Sequence, residues 1–309
     1  LALTVIIVVV VSDHLSDRPD KRPDNPYAYT LDDYKHTDSS LIQYRETKQI
    51  ELRPGQARAM AYRHGLIYLL HEQSIQAITT DGIEVMSGRT DMDPLCLEVS
   101  QEGNLIIGYA NYLVVYDTEG VETKRSDRMS DRSRFTALAV SEDYIFVADA
   151  GSRQILVFNH DLEQTDAFAG ESGVSAAHGF IIPSAHFDLA VNEEQELWLV
   201  NPGLHQLQNY TASDRLRGYW GKSSIAPEGF SGCCNPYYIG FLSDGSFITS
   251  EKGLLRVKVY EASGELRAFV APPERFQGSI RAPAIAATDQ DEILLLDFDR
   301  NIIRFFVPL

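Results

Sequence analysis

The chain has 309 residues, 44% of them hydrophobic, and a net charge of −17 from 44 acidic against 27 basic side chains. That apolar content is ample for a buried core and excludes wholesale disorder. The acidic balance argues against a nucleic-acid partner, which needs clustered Lys and Arg, and against docking on an anionic membrane surface.

In chain order, residues 1–11 (LALTVIIVVVV) are apolar and uncharged. The run is shorter than the roughly 20 residues of a spanning helix, and no small-x-small cleavage site follows it. It is expected to be the tail of an N-terminal membrane anchor that is retained. Residues 12–40 are rich in Asp and Pro and lack any apolar period, as in an extended tether. The domain beyond them is therefore expected to be membrane-anchored and extracytoplasmic.

From residue 41 a repeat takes over. LIQYRETKQIEL at 41–52 reads as a lone strand, followed by two loose copies of a pattern, MAYRHGLIYLLHEQSIQAI at 60–78 and LCLEVSQEGNLIIGYANYLVVY at 95–116. Four closer copies occupy 135–158, 187–210, 237–260 and 284–306. Each is an apolar strand, a polar turn (SED, NEEQ, SDG, DQD), a second strand, an acidic or amide residue, and an alternating third strand such as QILVF or RVKVY. The third strands end at Ile78, Tyr116, Phe158, Tyr210, Tyr260 and Phe306, 38 to 52 residues apart, the range of a four-stranded propeller blade. A fourth strand follows in most copies (TDAFAG, LRGYWG, LRAFVA), but the sixth copy runs out at Leu309. The strand at 41–52 fills that gap. An all-β, six-bladed propeller of four-stranded antiparallel blades, monomeric and closed by its N-terminal strand, is predicted for 41–309.

The run FVADAGSRQILVF at 146–158 resembles the NHL repeat, whose blades carry an Asp, a short turn, a basic residue and an I-x-V-F strand. Two stretches between blades resemble that family's G-x-F-x-x-P lead-in: Gly179, Phe180 and Pro183 after Gly170, and Gly229, Phe230 and Pro236 after Gly221. The resemblance implies the propeller fold. It does not choose between scaffold, ligand binder and enzyme.

In such a blade the link to the next blade and the turn between strands two and three share one face. The long links 170–184 and 220–236 therefore place their extra residues there, where binding loops usually sit. They bring His178 and the adjacent Cys233–Cys234 pair, which interrupts the F-x-x-P spacing as a local insertion. His186 and Cys96 open inner strands near the same mouth. Three readings of the pair are open: a strained vicinal disulfide stapling the loop, a soft-metal or redox site with His178, His186 or His205, or two inert thiols. Strand-two exits put Asp149, Asn201, Glu251 and Asp297 in register, with Arg153, His205, Arg256 and Asn301 at or next to the matching later positions. Such a ring could hold a divalent cation, as lactonase-type propellers do, or its members could simply brace the turns.

The predicted function is a binding scaffold that takes a protein, peptide or small-molecule ligand on this face. Its funnel is expected to comprise Cys233, Cys234, Asn235, His178, Glu251 and Lys252, with Cys233, Cys234, His186 and His205 as the candidate ligands of a divalent or soft transition metal. The competing class is a metal-dependent hydrolase or lyase with its ion at the channel mouth.

Overall fold

The computed structural model describes residues 34, 36–91, 93–170 and 179–309; the expected anchor at 1–11, most of the tether and His178 lie outside the described residues. Among the described residues no helix is long and apolar enough to cross a membrane. The compact unit that carries the repeats spans Tyr34–Leu309. Residues just before the expected start at 41 already dock on it, with the Thr37 amide donating to Glu274 Oε1 at 2.8 Å.

Six four-stranded antiparallel sheets make up this unit. After β1 (Tyr44–Glu51), blade one holds β2 (Ala59–Arg63), β3 (Leu66–Leu70), β4 (Ser74–Thr79) and β5 (Glu84–Arg89). Blade two holds β6 (Cys96–Val99), β7 (Leu105–Gly108), β8 (Leu113–Tyr116) and β9 (Glu122–Arg125). In blade three these are β10 (Phe135–Val140), β11 (Ile145–Asp149), β12 (Gln154–Phe158) and β13 (Gln164–Phe168). Blade four runs through β14 (Leu189–Val191), β15 (Leu197–Asn201), β16 (Gln206–Tyr210) and β17 (Leu216–Trp220). Blade five follows with β18 (Tyr238–Phe241), β19 (Phe247–Glu251), β20 (Arg256–Tyr260) and β21 (Leu266–Ala271). Blade six has only β22 (Ala284–Ala287), β23 (Ile293–Asp297) and β24 (Ile302–Pro308) of its own, and β1 completes it.

The burial pattern explains the repeat. Second and third strands are covered on both faces by neighbouring blades, so β11 (IFVAD) and β23 (ILLLD) are buried throughout and read as continuous apolar runs. Fourth strands sit at the rim, so β13 (QTDAF) is polar and exposed until its last residue. In all six sheets the register slips between the third and fourth strands, as at Val157/Phe158 and Asn209/Tyr210. An extra residue there steepens the local twist and turns each outer edge away.

Closure of the ring is antiparallel, from Tyr44 opposite Pro308 to Glu51 opposite Ile302. It is fastened by the almost fully buried Arg304, which reaches both carboxylate oxygens of Glu46, Nε to Oε1 at 3.0 Å and Nη2 to Oε2 at 2.7 Å.

Candidate functional site

The inner strands of all six blades surround a central channel of about 590 Å³. On the face that carries the links, its mouth is formed by residues just ahead of those strands, among them Arg134, His186, Tyr237 and Arg281.

The expected polar ring is a set of clamps. Asp149 is fully buried and one of its oxygens accepts the amides of Arg134, Gly151 and Ser152 at 2.8, 3.1 and 3.1 Å. Asn201 accepts the Ile181 amide at 3.0 Å and donates to the Gly179 carbonyl at 3.2 Å. Glu251 accepts the Ser231 amide at 3.3 Å, and Asp297 accepts from the Ser279 hydroxyl at 3.2 Å. Each strand-two exit thus ties its blade to the incoming link, although the second oxygen of Asp149 is buried with no hydrogen-bond partner among the described residues. Arg153, His205 and Asn301 recur in register because all three occupy a left-handed turn corner, each with φ of 55°.

Around the Cys pair the structure separates residues that were expected together. Glu251 is fully buried and does not reach the funnel: Arg256 Nε at 2.8 Å and Lys258 Nζ at 2.7 Å both engage its Oε1. Asn235 is equally withdrawn, donating to the carbonyls of Ser231 (2.6 Å) and Lys252 (2.9 Å) and accepting the Lys252 amide at 2.9 Å. It acts as a bracket fixing the Cys loop to the β19–β20 turn. His205 reaches over from blade four to the Gly232 carbonyl, a brace for the same loop rather than a ligand poised beside the thiols. Cys233 and Cys234 are free, with Sγ atoms 3.1 Å apart, the first exposed and the second buried. Cys96 is buried on β6 against Gly108, where an added Cβ would lie only 2.5 Å from its Sγ. Among the described residues no group of three or more His, Cys, Asp and Glu side chains is placed to hold a metal ion. In the native protein, one thiol of the three should therefore be alkylated promptly by iodoacetamide, and Cys233→Ser should abolish that fast phase. Two fast thiols would contradict the burial of Cys234.

What the mouth does assemble is an aromatic and cationic cluster on Tyr237. The His186 ring stacks on Tyr237 at 4.0 Å, nearly parallel, and meets Tyr238 edge-on at 4.8 Å. Its Nε2–H donates to the Tyr237 carbonyl at 3.1 Å. Burial pulls the imidazole down to about 3, with the Lys252 charge acting in the same direction, so His186 is neutral. The Lys252 ammonium lies over the Tyr237 ring, 5.0 Å from its centre. Arg281 rests on Phe298 at 4.2 Å, close enough to Tyr237 and Tyr238 to act on both phenols electrostatically.

Two channel residues escaped the sequence reading. Asp188 is 8% exposed and accepts the Ile239 amide from the next blade at 2.8 Å. Burial, reinforced by the like charge of Glu98, pushes its carboxyl up to about 7. Glu98 on β6 is raised too, again mainly by burial. The signal was an acid inside an otherwise apolar inner strand, in FDLAV and in CLEVS.

Because the folded pKa of Asp188 lies above the unfolded 3.8, its cost is absent in acid and grows as pH rises from about 4 to about 7. Asp188→Asn should therefore match wild type near pH 4 and exceed it above pH 7. Water in the open channel screens this wall, so a gain of roughly 2 kcal/mol is expected. Denaturant titrations at the two pH values measure it, and equal gains at both would contradict the assignment.

No protein-family model and no curated protein sequence matches the chain. Solved structures do match. A streptogramin B lyase superposes with a TM-score of 0.60 at 9% identity, covering 88% of this chain and 100% of that one. A catalytically inactive virginiamycin B lyase variant from Staphylococcus aureus with quinupristin gives 0.59 at 11%, covering 86% and 100%. A protein of unknown function from Bacteroides thetaiotaomicron gives 0.60 at 12%, covering 84% and 72%. This chain is a six-bladed β-propeller similar in fold to these lyases. At such identities the likeness concerns the fold alone.

Proposed function

We propose that this propeller is a ligand-binding module whose ligand enters the central channel from the link face and seats on Tyr237. The observation that carries the reading is the meeting of His186, Tyr237 and Arg281 on the wall of one open cavity, with the Lys252 ammonium over the Tyr237 ring and no acidic ion-pair partner for either cation among the described residues. At about 590 Å³ the cavity has the size of a small-molecule site. The NHL-like repeat supports a scaffold of this type, and residues 1–11 support tethering to a membrane with the propeller outside the cytoplasm. Recovery of the full chain in the soluble fraction after cell lysis would remove the tether from this reading.

The test of binding is retention of low-molecular-weight compounds. Wild type and Tyr237→Ala are equilibrated with a small-molecule extract, desalted, denatured and analysed by mass spectrometry. Compounds retained by wild type and lost in the variant support the module; no Tyr237-dependent retention removes it. One observation favours a lyase or hydrolase instead, namely Asp188, whose carboxyl near 7 is suited to accepting a proton. Turnover of a retained compound that Asp188→Asn abolishes without loss of retention would select that reading.

A further inference from the structure

We infer that the ligand is a small organic anion whose carboxylate or phosphate group is held by Lys252 and Arg281 above Tyr237, with Arg134 facing it from the opposite wall. This rests on the binding reading above and adds the sign and chemical class of the ligand.

The first argument is the charge of the channel. The chain carries −17 overall, yet the wall of its cavity presents Arg63, Arg134 and Arg281, together with Arg58, which is paired to Glu72 and Asp93, against two carboxyl groups, Glu98 and Asp188. Both carboxyl groups are pushed towards their neutral forms by burial, so they oppose an incoming anion less than their number suggests. A low-dielectric cleft of one sign focuses its field, and here that sign is opposite to the molecule's.

The second argument is pairing. Several rim cations of this protein are matched to acids, Lys124 with Asp161, Arg125 with Asp91 and Glu122, Arg217 with Glu196, Arg267 with Asp244, while others such as Arg45, Arg89 and Arg215 are unmatched among the described residues. Among the described residues Arg134, Lys252 and Arg281 have no such partner, although acids outnumber bases in the chain. Arg134 and Arg281 both stand just ahead of inner strands, β10 of blade three and β22 of blade six, although a bulge between Phe135 and Ala137 offsets Arg134 by one residue from the register of Arg281. Blades three and six are opposite in a ring of six, so the two guanidinium groups approach the mouth from opposite sides.

The third argument is preorganisation. Arg281 is laid on Phe298, and its backbone is held because Asp299 accepts the amides of Ile280 and Arg281 at 2.6 and 2.8 Å. Lys252 is fixed through its own amide and carbonyl by Asn235. Between them the hydroxyls of Tyr237 and Tyr238 have no hydrogen-bond partner among the described residues. Burial raises both phenols, which keeps them protonated as donors. Arg281 and two O–H donors on the channel wall, with Lys252 over the Tyr237 ring beside them, match the acceptor oxygens of a carboxylate or a phosphate.

Isothermal titration of the full chain with pyrophosphate and with citrate tests this, with sorbitol and spermine as neutral and cationic controls. Saturable binding of at least one anion, weakening as salt is raised, is expected. Lys252→Gln and Arg281→Gln should each reduce affinity about tenfold, while Arg217→Gln, which removes a rim cation outside the channel, should leave it unchanged. Thermal melts confirm that the variants remain folded. Absence of binding by both anions overturns the inference, as does an Arg217→Gln loss equal to that of Arg281→Gln, which would reveal diffuse attraction only. If the extract experiment yields neutral or cationic compounds retained through Tyr237, the module stands and the anionic assignment falls. If it yields nothing and the anions also fail, both fall.

Discussion

Replacing Glu46 with Ala is expected to lower the stability of the propeller by about 3 kcal/mol, the low end of the range for stripping one partner from a buried ion pair. Arg304 is 2% exposed and would be left inside the closing blade with the Arg275 carbonyl at 3.0 Å, the faces of Phe276 and Phe306, and the more distant Asp297 carboxylate at 3.9 Å as its remaining partners. The pair does more than join two side chains. It fixes β1 on β24, and without β1 the strand IIRFFVP would present an unpaired, largely apolar edge. The loss should depend on pH. Burial raises the Glu46 carboxyl, but hydrogen bonds from Arg304 and Gln49 and the Arg304 charge outweigh it, so the group lies below its ordinary 4.5. A depressed carboxylate stabilises above its unfolded pKa and loses that contribution as pH falls through the folded value. The gap between wild type and Glu46→Ala, measured by urea denaturation, should therefore be widest at neutral pH and shrink in strong acid. A gap under about 1 kcal/mol at pH 7 would mean that Arg304 finds a new partner or water.

The legible part of this molecule was whatever repeats. Strand–turn–strand units recur because each blade solves the same packing problem, and the lone strand ahead of the first repeat is the one that completes the sixth blade. Bracing of the turns was legible too, since an Asp or Asn at a strand exit has backbone amides within reach of its own blade. The channel was not. Arg134 and Arg281 are single residues ahead of two strands, and that both line one channel emerges only from the closed ring. Asp188 and Glu98 stand out as acids in apolar strands, but which wall they face depends on that same register. The Cys loop lay in between. Its position on the link face followed from spacing, whereas the partners that hold it, His205 from blade four and Lys252 from the following turn, are set by tertiary structure. Glu251 and Lys252 were expected side by side in the funnel. The two side chains in fact point apart, Glu251 into the blade and Lys252 over Tyr237, as neighbours at the end of a strand do.

That inward turn of Glu251 makes Glu251→Gln the most damaging single change expected here. The carboxylate is fully buried and serves two cations, Arg256 through Nε at 2.8 Å and Nη2 at 3.0 Å, and Lys258 at 2.7 Å. Those cations hold the link that leads to the site: Arg256 donates to the carbonyls of Ile225 and Gly229, and Lys258 to those of Pro227 and Gly229. One carboxylate cannot neutralise both, and a guanidinium does not give up its proton. Lys258 therefore yields, pulled down to about 7 by burial against the opposing pull of Glu251. Removing this carboxylate leaves Arg256 charged without its counter-ion and drives Lys258 further towards its neutral form, at a cost of about 4 kcal/mol. Lys258→Met, by contrast, leaves a matched Glu251–Arg256 pair. A lysine whose folded pKa lies below its unfolded 10.5 costs most stability at low pH, and the cost fades as pH rises from about 7 towards 10.5. Lys258→Met should thus gain on wild type at pH 6 and lose that advantage by pH 10, provided the freed carbonyls of Pro227 and Gly229 find water. Chemical denaturation of both variants across this range separates the cases. A Glu251→Gln loss that Lys258→Met partly rescues would show that the link, and with it Tyr237, is held in place by a charge balance. Equal losses with and without Lys258 would place the whole effect on the Arg256 pair.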